Sequence, residues 1–236
     1  MALPKIAKVT YELTVPSTGK KIKFRPYLVK EEKVLVLARE SEDPKQMALA
    51  IQDVIKACVQ TRGFKIEELG TFDIEYIFLN IRQRSVGENV DVVVTCPDDG
   101  KTTVDVTIFL DEIGVEFDDT HDKNIKLDDS VSIQMKYPTM DMVLDTDVDN
   151  VTVEQSLALI AGCIEQIYTE EESYTAADTT QQELVEWVED LEPMQFAKLE
   201  RFFETMPKLS HTIKVTNPVT GVENEIVMEG LGSFFA

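Results

Sequence analysis

Apolar and polar residues alternate along Val90-Asp91-Val92 and again along Thr103-Val104-Asp105-Val106-Thr107-Ile108, the period of a half-buried strand. Between the two runs lies Thr95-Cys96-Pro97-Asp98-Asp99-Gly100. The same Pro-x-x-Gly outline recurs in Thr14-Val15-Pro16-Ser17-Thr18-Gly19 and in Thr216-Asn217-Pro218-Val219-Thr220-Gly221. Proline presets φ near about −65° for the first corner of a turn, and glycine supplies the positive φ that closes it. The pattern predicts three antiparallel hairpins, the first pairing Val9–Val15 with Lys20–Phe24.

Helical spacing fills the intervals. Lys30-Glu31-Glu32-Lys33 leads into Val34, Leu35 and Leu37, and that pattern ends near Ser41-Glu42-Asp43. Asp43-Pro44 reads as N-cap plus first-turn proline of a second helix, carrying Met47, Leu49, Ile51, Val54, Ile55, Cys58 and Val59 until Gly63. A third helix spans Thr71 to Ser85, with Ile74, Ile77, Phe78 and Ile81 on its inner side. Asn124–Leu127 and Val131–Tyr137 read as two short strands joined at Asp128-Asp129-Ser130. Thr152-Val153-Glu154-Gln155 is a capping box, and the helix it opens is expected to run through Tyr168 with Leu157, Ile160, Ile164 and Ile167 inward. Residues 169–178 read as an acidic, mobile loop, followed by helices over Gln181–Glu189 and Pro193–Glu204.

These elements predict an α+β fold of antiparallel β-hairpins, three with Pro-x-x-Gly turns, and segregated helical blocks without βαβ alternation. Three consecutive regions are expected. Residues 1–113 hold the first hairpin, three helices and the second hairpin. Residues 114–150 are an acidic connection with short strands, and 151–236 a helical block with the third hairpin.

At 236 residues and 43% hydrophobic content the chain can bury a core. Three cysteines without paired spacing point to a reducing compartment, and no apolar run reaches the length of a membrane span. The N-terminus, Met1-Ala2-Leu3-Pro4-Lys5, lacks the apolar stretch of a signal peptide. Net charge is −21 and unevenly spread. Residues 1–97 carry 15 Lys/Arg against 13 Asp/Glu, residues 98–150 carry 4 against 15, and residues 151–236 carry 4 against 16. That distribution argues against nucleic acid as a partner, because phosphate binding needs clustered cations. It suits a solvated acidic face, or steering toward a basic protein surface.

Candidate chemistry is sparse. Cys96-Pro97-x-x-Gly100 outlines a zinc knuckle, but Asp99 stands where the second cysteine belongs. Val15 and Thr18, and Asn217 and Thr220, hold the ligand positions of the other two hairpins. Cys58, Cys163, His121 and His211 have no ligand spacing, so no metal site is expected. Asp145-Thr146-Asp147-Val148-Asp149-Asn150 matches the first half of an EF-hand loop, but Ser156 occupies the position of the bidentate glutamate. An acidic helix-capping loop fits that stretch better than calcium. No nucleophile elbow, Walker loop, dinucleotide fingerprint or zinc-protease motif is present, which predicts a non-enzyme without a cofactor.

Contact surfaces are the remaining class. Lys20, Lys21, Lys23 and Arg25 make a basic edge on an acidic chain. It serves either to keep an edge strand from pairing or to meet an acidic patch of a second copy. Phe234 and Phe235 either fold back as core or insert into a partner. Lys21, Lys23, Arg25, Phe234 and Phe235 are therefore the candidate partner contacts. Met135, Met140 and Met142 surround a strand and turn and read as core.

The stretch from Val15-Pro16-Ser17-Thr18-Gly19-Lys20 to Tyr27-Leu28-Val29-Lys30-Glu31-Glu32-Lys33 resembles the start of the baseplate hub subunit family of T4-like contractile-tailed phages. Phe202-Phe203-Glu204-Thr205-Met206-Pro207-Lys208-Leu209, the third hairpin and Glu229-Gly230-Leu231-Gly232-Ser233-Phe234-Phe235 resemble its C-terminal part. The likeness covers residues 9–113 and 185–236. It implies a late viral protein of the central tail hub, with no catalytic residue carried over. Its implied partners are other tail and hub proteins, with the tape-measure protein a further candidate. Its implied location is the tail baseplate of the virion, and the host cytoplasm during assembly. Three functions follow as expectations: a structural or assembly component of the hub, a transient assembly chaperone that leaves, or a degenerate zinc-ribbon-like metal module.

Overall fold

The structure, a computed structural model, describes residues 7–144 and 152–235. Among the described residues eight helices and eleven strands form small antiparallel sheets, the α+β hairpin architecture that the alternation predicts. No helix among them is long and apolar enough to cross a membrane. The chain divides into two compact units: Met1–Ile66, Phe72–Glu116 and Lys208–Ala236 form one, and Glu67–Thr71 with Phe117–Pro207 the other.

In the first unit, β1 (Tyr11–Thr14) pairs with β2 (Lys21–Phe24). On β2 the alternation is strict, with Ile22 and Phe24 buried and Lys21 and Lys23 exposed. Helices α1 (Val29–Glu40) and α2 (Pro44–Cys58) follow as a helical hairpin. Asp43 caps α2 by accepting from the Lys45 N–H at 2.9 Å, and Pro44 occupies the first turn. The expected end of α2 at Gly63 is corrected to Cys58. There the Cys58 carbonyl accepts from the Arg25 N–H at 3.1 Å, and Gln60 donates to the Lys23 carbonyl at 2.8 Å. Pairing with β2 thus stops the helix five residues before the glycine does.

Helix α3 (Thr71–Val86), preceded by a 3-10 turn at Ile66–Glu68, is buried on more than one side, with Phe72, Ile74, Ile77, Leu79 and Ile81 at 2% exposure or less. Strands β3 (Asn89–Thr95) and β4 (Thr103–Phe109) pair over their full seven-residue length. Strand β5 (Gly114–Glu116), which the alternation does not announce, lies on β10 (Lys208–Thr216), and β10 pairs with β11 (Glu223–Glu229) on its other side. The third hairpin therefore lies in the same unit as the first two. A four-residue helix α8 (Gly232–Phe235) ends the described chain.

The second unit carries β6 (Asn124–Lys126), β7 (Ser132–Met135), β8 (Ile164–Tyr168) and β9 (Ser173–Thr175) in that order in one sheet. Its helices are α4 (Met140–Leu144), α5 (Val153–Gly162), α6 (Gln181–Glu189) and α7 (Pro193–Thr205). Two expectations are corrected here. The helix from Thr152 ends at Gly162, and Ile164–Tyr168 is a strand. The register of β7 against β8 shifts between Gln134↔Gln166 and Met135↔Ile164, skipping Glu165. That bulge lets Ile164 and Ile167, three residues apart, both be buried, so a bulged strand carries helix-like spacing. The acidic stretch 169–178, expected to be a loop, turns back as β9, with Ile167 opposite Tyr174. The core of this unit gathers Ile133, Met135, Ala161, Cys163, Leu199 and Phe202.

Candidate functional site: interaction surfaces

The three Pro-x-x-Gly turns share one geometry. The glycine N–H donates to the carbonyl of the residue before proline: Gly19 to Val15 at 2.9 Å, Gly100 to Cys96 at 3.0 Å, Gly221 to Asn217 at 2.9 Å. Each glycine sits at φ of 65° to 73°, where a Cβ would be strained. The residue before each proline is buried, Val15 at 2% and Cys96 and Asn217 at 0%. Cys96 is therefore an inward-facing position of a turn, and burial pushes its thiol up. Asp99, in the place of a second zinc-knuckle cysteine, accepts from the N–H groups of Lys101 and Thr102 at 3.0 and 2.9 Å and from the Thr102 hydroxyl at 2.6 Å. Those bonds hold its carboxyl below the ordinary aspartate range. Among the described residues no group of three or more His, Cys, Asp or Glu is placed to hold a metal ion. The half EF-hand Asp145–Asn150 lies outside the described residues.

Two of the turns are stapled together. Asp98 accepts from Asn217 Nδ2 at 2.9 Å and from the Thr220 hydroxyl, and its own N–H donates to Asn224 Oδ1 at 3.0 Å. The remaining turn is anchored elsewhere in the same unit. Ser17 donates its N–H at 2.9 Å, and its hydroxyl, to the Asp73 carboxylate in the first turn of α3. Two residues on, Glu75 accepts from the Leu231 N–H at 3.3 Å. Burial pushes the Glu75 carboxyl up to about 7, with the Leu231 N–H pulling the other way. This segment holds the C-terminal Phe234 at 1% exposure, and the Phe235 ring lies outside the described residues.

The basic edge divides into two kinds of residue. Lys21 and Lys23 are exposed, with Lys23 Nζ 3.5 Å from Glu12. Arg25 is buried, and its guanidinium meets Glu31 at 2.9 Å and donates to the Pro26 and Ala57 carbonyls at 2.8 and 3.0 Å. Burial alone would raise the Glu31 carboxyl. The Arg25 bond, the Leu28 N–H and Lys30 instead hold it down to about 2. Arg25 thus ties β2 to both helices of the helical hairpin, while Lys21 and Lys23 face outward. The backbone of Lys23 is already bonded to Thr61 Oγ1 and Gln60, so no open strand edge there needs protection.

The two helices that Arg25 meets carry an exposed apolar surface. Of the twelve residues of α1 only Glu31 and Ala38 are buried. Val34, Val36 and Leu37 are 40 to 55% exposed, and Leu49 on α2 is 51% exposed. Val34, Leu37, Ala38, Leu49, Ala50 and Asp53 line a groove of about 290 Å³ between the two helices. Four adjacent apolar positions, Val34 to Leu37, spread around a helix instead of forming one stripe are the signal that sequence alone offers for it.

The second unit differs in electrostatics. It carries 24 Asp/Glu against 5 Lys/Arg, whereas the first carries 20 against 18. Beneath its charge lies an aromatic cluster: His121 stacks on Tyr137 with ring centres 5.6 Å apart and sits 4.9 Å from Phe202, which meets Phe203 edge-on at 5.2 Å. His121 Nδ1 bonds the Thr205 hydroxyl at 3.0 Å, and burial with the nearby Lys123 lowers its pKa. Burial pushes the Cys163 thiol of this unit to about 12, and Cys58 of the other to about 11, so neither is a thiolate near neutral pH.

Residues 7–236 match the family of T4 bacteriophage base plate proteins. No curated protein and no solved structure matches the chain.

Proposed function

The chain belongs to the T4 bacteriophage base plate protein family, and from that premise we propose that it is a structural or assembly component of the central baseplate hub, working by protein–protein contact and not by catalysis. The hub assignment is supported by the resemblance of Val15–Lys33, Phe202–Leu209 and Glu229–Phe235 to hub subunits. One observation carries the contact reading: the chain concentrates its charge in one unit, 24 acidic against 5 basic residues. Such a surface favours encounter with a basic protein and repels nucleic acid. Its partners are then other tail and hub proteins, the tape-measure protein among the candidates. It would reside in the virion tail, having passed through the host cytoplasm during assembly. Of the five candidate contact residues, Lys21 and Lys23 are assigned direct contact. Arg25 positions the strand that presents them, Phe234 anchors the C-terminal segment, and Phe235 keeps its place as a candidate contact.

A second reading rests on the same acidity: a chaperone that shields a basic tail protein and then leaves. Quantitative mass spectrometry of mature virions and of tail intermediates from infected cells separates the two. Stoichiometric presence in virions supports the structural role. Presence confined to intermediates supports the chaperone, and absence from both overturns the hub assignment.

A further inference from the structure

Helices α1 and α2 form a helical hairpin with an apolar face left open. Its outer face offers Val34, Leu37 and Leu49, and its floor is Ala38 and Ala50, small enough for another helix to approach closely. We propose that this face docks on the same face of a second copy of the chain, the two hairpins antiparallel about a twofold axis. The inference rests on the exposed helices alone and goes beyond the hub assignment.

A twofold interface must complement itself. Aliphatic side chains do so without further chemistry, and the charges of the hairpin select the direction. The end where α1 passes into α2 carries Glu40, Glu42 and Asp43 with Arg39 and Lys45, an acidic excess. The opposite end, where α1 begins and α2 finishes, carries Lys30, Lys33 and Lys56 with Glu31, Glu32 and Asp53, and Lys30 lies 3.3 Å from Glu31, so the helices alone are balanced there. Strand β2 reaches that same end through its bonds to residues 58–61, adding Lys21 and Lys23 for a basic excess. Antiparallel docking sets the acidic end of each copy on the basic end of the other, whereas parallel docking opposes like charges. The basic edge and the apolar groove thereby become one continuous surface with one occupant.

The size of the face sets the strength. A helix of twelve residues is about 18 Å long, and two helices side by side are about 20 Å across, so each copy offers about 360 Å², below the range of stable interfaces. A weak, transient dimer is therefore expected, with a Kd of about 100 μM.

Sedimentation velocity on the full chain, from about 1 to about 200 μM, reads this directly. The expected result is a concentration-dependent rise toward twice the 26.7 kDa chain mass. Leu37→Glu and, separately, Leu49→Glu are expected to weaken it at least about tenfold while the circular dichroism melt stays unchanged, because both residues are exposed. Lys21→Glu with Lys33→Glu weakens it as well, and adding Glu40→Lys with Glu42→Lys restores it only if the ends meet as proposed. A monomer throughout the range, or a dimer indifferent to Leu37→Glu, overturns the proposal. So does a monomer whose Leu37→Glu form loses capture of a tail protein from infected cells, since the groove then belongs to that protein. That outcome leaves the hub assignment standing, and a chain that dimerises but captures no tail protein does the reverse.

Discussion

The two units reach a folded state by different means. The first is nearly balanced in charge and uses buried or half-buried polar groups as joints: Asp98 with Asn217 and Asn224 between two hairpin turns, Ser17 with Asp73, Arg25 with Glu31. The second has no buried polar or charged side chain among its described residues and relies on packing, with His121 and Tyr137 half-buried against the buried Phe202. Two-stranded hairpins bury too little surface to hold themselves, so the first unit needs directional bonds between them. A four-stranded sheet with helices can rely on apolar contact and tolerate a net charge of −19.

The largest test of the contrast is Phe202→Ala. Loss of a fully buried ring should cost about 4 kcal/mol. Hydrogen exchange should speed up across residues 117–207 more than across β3 and β4. Equal acceleration everywhere would mean that the two units fold as one. Next is Arg25→Ala, which strands Glu31 in a buried site and should cost about 3 kcal/mol in urea unfolding, with Arg25→Met less harmful when paired with Glu31→Leu. Because the Glu31 pKa is depressed to about 2, its contribution is present above the ordinary carboxylate pKa. It is lost as pH falls toward 2, so the Arg25→Ala penalty should shrink in acid.

Asn217→Ala removes a fully buried side chain that donates to Asp98 and accepts from the Val219 and Thr220 N–H groups. A loss of about 2 kcal/mol is expected, with faster exchange at both stapled turns. A silent Asn217→Ala would show that packing, not polar joints, holds the first unit. The smallest effect is a gain. Glu75 has a raised pKa, so its favourable share is complete below the unfolded carboxylate value and lost as pH rises through about 7. Glu75→Gln keeps an acceptor for Leu231 and should be more stable than the parent at pH 8 by about 1 kcal/mol, with no gain below pH 4. Thermal melts at the two pH values check it.

Local chemistry made much of this chain legible. Asp43-Pro44 opens α2, Thr152 with Gln155 caps α5, and Thr180 opens α6, because caps and turns are decided by bonds within a few residues. The three Pro-x-x-Gly turns fall in the same class. The site was less legible. The lysines of β2 are visible in the alternation, but nothing local says that Arg25 turns inward to Glu31 while Lys21 and Lys23 face out, since all four cations of the edge look alike in sequence. The exposed face of α1 was hidden for the same reason: apolar residues ordinarily signal burial, and only the absence of a covering element reveals otherwise.

The sequence by itself thus determined the hairpins, the helix starts and the concentration of charge, all properties of neighbouring residues or of composition. Tertiary structure alone decided that Ile164–Tyr168 is a strand, because a bulge opposite Met135 gave helix-like spacing two buried isoleucines on a sheet. It also decided that β10 returns to β5, and that Asp98 and Asn217, 119 residues apart, share a hydrogen bond. Pairings of that range depend on which surfaces remain unsatisfied after local structure forms, and no short window of sequence contains that information.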